Sequence, residues 1–287
     1  MLLKDFFFSF KQSIQRDLEK NKFFKSFKKI FVFPYKYFLN YLRELFLLDK
    51  VNLNKQLNND QLKQKNLNEL FLMFNCDKGS KVEINGNLIQ GHDYSPFYEK
   101  YFSKYKNKEK INILEIGTLR GASSASFFYY FNYPNIYCLD INPFQIKVFS
   151  KHIRKIFVDV TSKKILDNVS RYLNVDFDII IDDASHNIRD QIITLNTFFP
   201  KLKKNGIYVI EDISQYISSK NLNPNQLNYG VKDFIQSIKN QGMHQSNFIS
   251  KQEKKYLNKN INQIFFEKGK FIVNNINISE IVFIEKL

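Results

Sequence analysis

From residue 111 onward, short apolar runs alternate with segments of helical length. The runs 111–116 (INILEI), 135–140 (NIYCLD), 155–160 (KIFVDV), 177–182 (FDIIID) and 206–211 (GIYVIE) each carry an acidic residue at or next to their last position. Runs this short and this apolar read as strands buried on both faces. Helical segments are expected between them at 122–131, 162–173 and 188–202, the last with Ile192, Leu195, Phe199 and Leu202 along one face. Strand and helix in alternation predict an α/β fold, with a mostly parallel sheet covered by helices on both sides. Ligands of such sheets bind at the carboxyl ends of the strands, where these acids lie.

The first fifty residues follow a different period. Phe23, Phe24, Phe27, Ile30 and Phe31 recur at helical spacing, and Lys22, Lys25, Lys28 and Lys29 lie among them, so a basic amphipathic helix is expected. Pro34 is expected to break it, and a second helix should present Phe38, Leu42, Leu45 and Phe46 on one face. Two readings are open for residues 1–50: a helical hairpin packed on the following domain or on a second copy, or peripheral contact with a membrane surface. Residues 51–68 are polar and rich in Asn and Gln, which places a boundary between a helical extension at 1–70 and a domain at 71–287. Beyond it, Asn85-Gly86 between two β-prone stretches is a hairpin signal, because a type I′ turn needs positive φ at both central positions.

Composition narrows the class. Hydrophobic residues make up 44% and charged residues 25% of the 287, which suits a folded domain and not a disordered one. Cys76 and Cys138 have no paired spacing, so neither a disulfide framework nor a zinc site is expected. With no secretory leader pattern and no apolar run of spanning length, a cytoplasmic location is expected, with the inner membrane face as the peripheral option. The net charge of +15 raises the question of a polyanion partner, although lysine richness shared with many Asn, Ile and Phe residues accounts for much of it.

Three stretches carry candidate chemistry. In the first, Glu115, Gly117 and Gly121 surround a strand-to-helix turn, where glycine lets the backbone approach a ligand and the helix start offers free N–H groups. Asp140 follows about 20 residues later, where a carboxylate can accept from both ribose hydroxyls of a nucleoside. Asp159 could take an adenine amine, or serve as a loop or capping residue before Thr161-Ser162. The third stretch joins Asp182, Asp183 and His186 after one strand to Glu211 and Asp212 after the next. So much like charge at neighbouring strand ends calls for a cation, and oxygen ligands of this kind suit magnesium, calcium or manganese.

From Asp77 to Asp212 the chain resembles the macrocin and mycinamicin O-methyltransferases, a family of class I S-adenosylmethionine-dependent enzymes with some relatives labelled cephalosporin hydroxylase. The resemblance is carried by Asp77-Lys78-Gly79, by His92 with Tyr94 and Tyr98, and by LEIGTLRG, LDINP, IIIDDASH and YVIEDI. It implies a Rossmann-like methyltransferase fold, S-adenosylmethionine bound through Glu115, Gly117, Gly121, Asp140, Asp159 and Asp182, and Mg²⁺ held by Asp183, Glu211 and Asp212. His186 is then the general base and a sugar, glycan or glycolipid hydroxyl the acceptor. The two-histidine-one-carboxylate spacing of a non-haem iron site is missing, which weighs against hydroxylation. An RNA methyltransferase is the alternative that the charge raises, but no RNA-binding motif is visible and no nucleic-acid partner is expected. A non-catalytic domain tethered by its N-terminal helices is a further alternative, and homo-oligomerisation is left open.

Overall fold

A computed structural model describes residues 1–46, 50–55, 59–239 and 246–287. Its central sheet has seven strands: β1 (Asn112–Ile116), β2 (Asn135–Asp140), β3 (Ile153–Phe157), β4 (Phe177–Asp182), β5 (Leu202–Ile210), β6 (Ile261–Lys268) and β7 (Glu280–Lys286). They lie in the order β3-β2-β1-β4-β5-β7-β6. The first five are parallel, and β7 runs antiparallel to both β5 and β6. Chain order reverses between β1 and β4, so the crevice at their carboxyl ends is the topological switch point of the sheet.

Every residue of β4 is buried, which is why its centre, Ile179–Ile181, is apolar, while Asp178 near its start accepts from the Asn112 amide and Lys203. On one face of the sheet, Leu114 and Ile116 pack with helices α7 (Lys163–Tyr172), α8 (Ile188–Phe198) and α9 (Val231–Lys239). On the other, Ile113 packs with α4 (Leu67–Met73), α5 (Ser95–Phe102) and α6 (Ala122–Tyr130). Two expected boundaries shift. The helix expected to reach 202 ends at Phe198, a 3-10 turn follows at Phe199–Lys201 around Pro200, and Leu202 opens β5. Proline supplies no amide hydrogen to continue the helix. The run 155–160 gives a strand only to Phe157, because Asp159 turns its side chain onto the Thr161 amide and hydroxyl.

The N-terminal residues form two antiparallel helices, α1 (Leu3–Glu19) and α2 (Phe23–Leu45). Pro34 does not break α2, contrary to the expectation. It removes one amide donor, but Pro34 is exposed, so the orphaned carbonyl of Ile30 one turn back remains open to water. Ser26, Phe33 and Asn40, spaced by seven on either side of the proline, are buried on one face and anchor the helix on both sides of it. α1 docks on the sheet edge. Asp5 accepts two hydrogen bonds from Arg154, at 3.1 and 2.5 Å, and one from Tyr172 at 2.8 Å. The Phe157 amide donates to Ser9 Oγ at 2.9 Å, and Phe8 stacks on Tyr172 with centroids 3.8 Å apart. Of the two readings of residues 1–50, packing on the following domain therefore describes α1, whereas much of α2 faces outward. Among the described residues no helix is long and apolar enough to cross a membrane.

The described part of the polar stretch after residue 50 is tied to the domain by a small parallel pairing of its own, apart from the central sheet. Val51–Asn52 pairs in parallel with Val148–Phe149, and Leu53, Leu62 and Leu67 are buried in the core. Helix α3 (Asn59–Gln64) lies between, and helix α10 (Lys251–Asn260) precedes β6. The expected hairpin forms with strands Lys81–Ile84 and Asn87–Gln90, and Asn85 and Gly86 both have positive φ, 52° and 80°.

Candidate active site

At the end of β1 the chain turns through Gly117 with φ 89°. A Cβ there would lie 2.0 Å from the carbonyl oxygen of Asp183, so glycine is what lets the turn after β1 rest against the turn after β4. Asp183 N–H donates to Ile116 O at 2.8 Å across the same contact, and Gly117 N–H donates to Leu139 O at 2.8 Å, which ties the turn to β2. Two cavities open on either side of Gly117. One of about 190 Å³ is lined by Gly117, Asp140, Ile141, Asp159, Ala184 and Ser185. The other, about 420 Å³, is lined by Lys78, Gly117, Leu119, Arg120, Ser123 and Asp183 among others.

Asp140 and Asp159 thus meet in one cavity, as the sequence expects of nucleoside-binding acids. Asp140 accepts from the amides of Leu119 at 2.8 Å and Asn142 at 2.7 Å and from Gln145 at 3.0 Å, and burial raises its pKa. Burial works against the charge of Asp159, but Thr161 and Lys20, whose Nζ is 3.0 Å away, outweigh it and hold its pKa down. Ser162, not Asp159, caps α7. Glu115, Gly121 and Asp182 line neither cavity. The Glu115 carboxyl is fully buried against the hydroxyls of Ser123 and Ser124, and its pKa is pushed up to about 7 by burial. Gly121, with φ 88°, is the N-cap of α6 and faces Val148. Asp182 is buried behind the site, with Oδ2 unpartnered among the described residues and its pKa raised well above the ordinary value by burial.

Asp183, Glu211 and Asp212 converge beyond β4 and β5, each held from outside the strands. Lys78 Nζ donates to Asp183 and, at 2.8 Å, to Glu211. The Tyr98 hydroxyl donates to Glu211, and the Tyr94 hydroxyl to Asp212 Oδ1 at 2.5 Å. His92 Nδ1 lies 3.1 Å from that oxygen and 2.8 Å from Ser279 Oγ. Burial disfavours the Lys78 charge, yet Asp183 and Glu211 raise its pKa well above the ordinary value, so it is an ammonium. Burial pushes Asp183 up although Lys78 and His186 pull the other way. For Asp212, burial is outweighed by the hydrogen bond and charge of His92, and the carboxyl is held down. Asp183, His186 and Asp212 each offer a ligand atom within 4.8 Å of the others. His186 Nε2 is 3.8 Å from Asp183 Oδ1, and Nδ1 is buried without a partner among the described residues. His186 and Asp212 both adopt left-handed backbone, φ 53° and 55°, a cost that non-glycine residues bear mostly at functional sites.

Lys78, His92, Tyr94 and Tyr98 have no pattern of their own in the sequence and stand there only within the family resemblance. Their placement comes from the hairpin: the amide of His92 donates to Asp77 O at 2.7 Å and that of Tyr94 to Lys78 O at 2.8 Å, so the hairpin strands close a loop that brings both segments under the carboxylates.

The family model described as a methyltransferase domain matches residues 114–213. The match spans 100 of the 287 residues. A mycinamicin VI 2''-O-methyltransferase of Micromonospora griseorubida is 33% identical to the chain over 129 residues, 42% of this chain and 32% of that protein. Demethylmacrocin O-methyltransferase of Streptomyces fradiae is 30% identical over the same length and the same shares. The chain spans about a third of the length of these curated relatives. Among solved structures, the MycE methyltransferase from the mycinamycin biosynthetic pathway, in complex with Mg, SAH and mycinamycin VI, superposes with a TM-score of 0.56 at 23% identity. The superposition covers 77% of this chain and 54% of that one, and shows a shared fold over that part.

Proposed function

We propose that this chain transfers the methyl group of S-adenosylmethionine to a hydroxyl of a sugar or glycan-like acceptor. Asp183, Glu211 and Asp212 hold a divalent cation, residues 71–287 form the catalytic domain, and residues 1–70 are an extension docked on it. The observation that carries this reading is the meeting of Asp183 and Asp212 with His186 within 4.8 Å, beside a glycine turn that lines both cavities; Glu211 lies outside that group, bonded to Lys78 and Tyr98. The donor set fits a hard cation: all the contributing acids offer oxygen, Glu211 and Asp212 are buried and Asp183 is partly exposed, and among the described residues Lys78 is the one ammonium that bonds both Asp183 and Glu211. The relatives are O-methyltransferases by name, one of them an 8-demethyl-8-alpha-L-rhamnosyl tetracenomycin-C 2'-O-methyltransferase, and a structural neighbour was solved with Mg and SAH.

When bound, S-adenosylmethionine would supply an electrophilic methyl group, and the cation a Lewis acid that would lower the pKa of the acceptor hydroxyl. Asp140, preorganised by Leu119, Asn142 and Gln145, holds the ribose end in the cavity it shares with Gly117 and Ser185. His186 would take the hydroxyl proton as the methyl group passed from the sulfonium sulfur to the acceptor oxygen. Tyr94 and His92 fix Asp212, and Tyr98 and Lys78 fix Glu211, so the acids need no reorganisation when the acceptor arrives.

The test is calorimetry with S-adenosylhomocysteine, paired with transfer of labelled methyl to glycosides bearing vicinal hydroxyls, with Mg²⁺ and with EDTA. Binding of S-adenosylhomocysteine and label transfer abolished by EDTA are expected. Tight NADH binding with no response to S-adenosylhomocysteine would overturn the cofactor, and full transfer in EDTA would overturn the cation.

A further inference from the structure

Exposed large apolar side chains concentrate on α2. Phe24, Phe31 and Phe38 are 90%, 69% and 56% exposed. Their spacing of seven residues is close to two helical turns, so they form a stripe along the helix, opposite the buried Ser26, Phe33 and Asn40. Phe27, Tyr35 and Leu45 widen it. A stripe of this length on a helix of 23 residues, about 34 Å, is more than scattered surface hydrophobes.

The charges beside the stripe are sorted. Lys25, Lys28 and Lys36 are exposed along α2. The acids of the hairpin turn the other way: Asp5 to Arg154, Asp17 to Lys29 at 2.7 Å, Glu44 to Lys155 at 2.7 Å, and Glu19 to Ser162 at 2.7 Å. The outward face is thus aromatic with a cationic flank and no acid of its own. A second copy laid along it would bring lysine against lysine without compensation, whereas an anionic lipid surface complements both features.

We propose that α2 is an interfacial helix that lays the protein on an anionic lipid bilayer, with its aromatic stripe in the headgroup region and its lysines against lipid phosphates. The turn from α1 to α2 carries Lys20 against Asp159, at the rim of the smaller cavity, so docking also sets the cleft beside the lipid surface. This inference stands on the hairpin alone and does not rest on the methyl-transfer reading.

The full chain is sedimented with phosphatidylcholine vesicles and with vesicles containing phosphatidylglycerol, across a salt series. Binding to the anionic vesicles that weakens as salt rises is expected, with little binding to neutral ones. Lys25→Glu, Lys28→Glu and Lys36→Glu combined should weaken partitioning about a hundredfold or more, at roughly fivefold per basic residue. Phe24→Ser, Phe31→Ser and Phe38→Ser combined should weaken it at least about tenfold, because apolar contact is lost while the charge stays. Thermal melting of both variants checks that they fold. No vesicle binding by the wild type, equal binding to neutral vesicles, or wild-type binding by both variants overturns the proposal. So does a soluble oligomer that the aromatic variant converts to a monomer while the wild type ignores vesicles, since the occupant is then a second copy.

Discussion

The carboxylate cluster and the outer face of α2 invert the usual rule of acids outside and aromatics inside, and they do so by different means. At the cluster the misplaced groups are answered from within the chain: Lys78, His92, Tyr94 and Tyr98 reach the three acids from segments preceding β1. On α2 nothing among the described residues covers Phe24, Phe31 or Phe38. Buried charge without a partner costs several kcal/mol, so a folded chain must compensate it internally. An exposed phenylalanine costs far less, and can be left for a partner.

The largest expected effect comes from removing a reacting group while the compensation stays intact. His186→Ala should lower single-turnover methyl transfer by about 10² to 10⁴, with S-adenosylhomocysteine affinity nearly unchanged by calorimetry. Unchanged turnover would strip the histidine of its role and leave a site that works by positioning alone.

Next comes the compensation itself. Lys78→Met leaves Asp183 and Glu211 buried without their ammonium, and should cost about 3–5 kcal/mol in EDTA by chemical denaturation. Mg²⁺ should raise the Tm of this variant more than that of the wild type. Equal Tm gains would mean that lysine and cation do not share the same acids.

A buried acid that nothing cationic bonds directly gives a third measurement. The Glu115 carboxyl has a pKa of about 7 in the fold against an ordinary 4.5. As pH rises the unfolded chain loses this proton first, so the contribution is fully present below 4.5, falls between 4.5 and 7, and is level above. The loss amounts to about 3 kcal/mol. Glu115→Gln should flatten the stability profile in that window and raise stability at pH 8; a profile with the wild-type slope would show that another group sets it.

The smallest effect on the fold belongs to the other side of the comparison. Phe24→Ser alone should change stability by no more than about 0.5 kcal/mol, since the ring packs on nothing it would leave empty. A loss above about 2 kcal/mol would mean that the ring is part of the core in solution.

Local pattern determined a good deal. Apolar runs ending in acids fixed four of the strands and their parallel arrangement, Asn85-Gly86 fixed the hairpin, and Asp140 and Asp183 stand at strand ends as their runs imply. These are properties of neighbours in sequence, where period and turn chemistry act directly. The passage of α2 through Pro34 was not legible, because the buried positions on either side decide it and they are buried by α1 and the turn at Pro143–Gln145. Nor was the need for glycine at 117 against the carbonyl of Asp183, 66 residues away in sequence. The partners of the acids lay equally out of reach, since only closure of the loop between Asp77 and Tyr94 sets Lys78, His92 and both tyrosines against them. Sequence determined which groups carry charge and on which element they sit; tertiary structure decided which charges are answered and which apolar faces are not, because both depend on distances that no local period encodes.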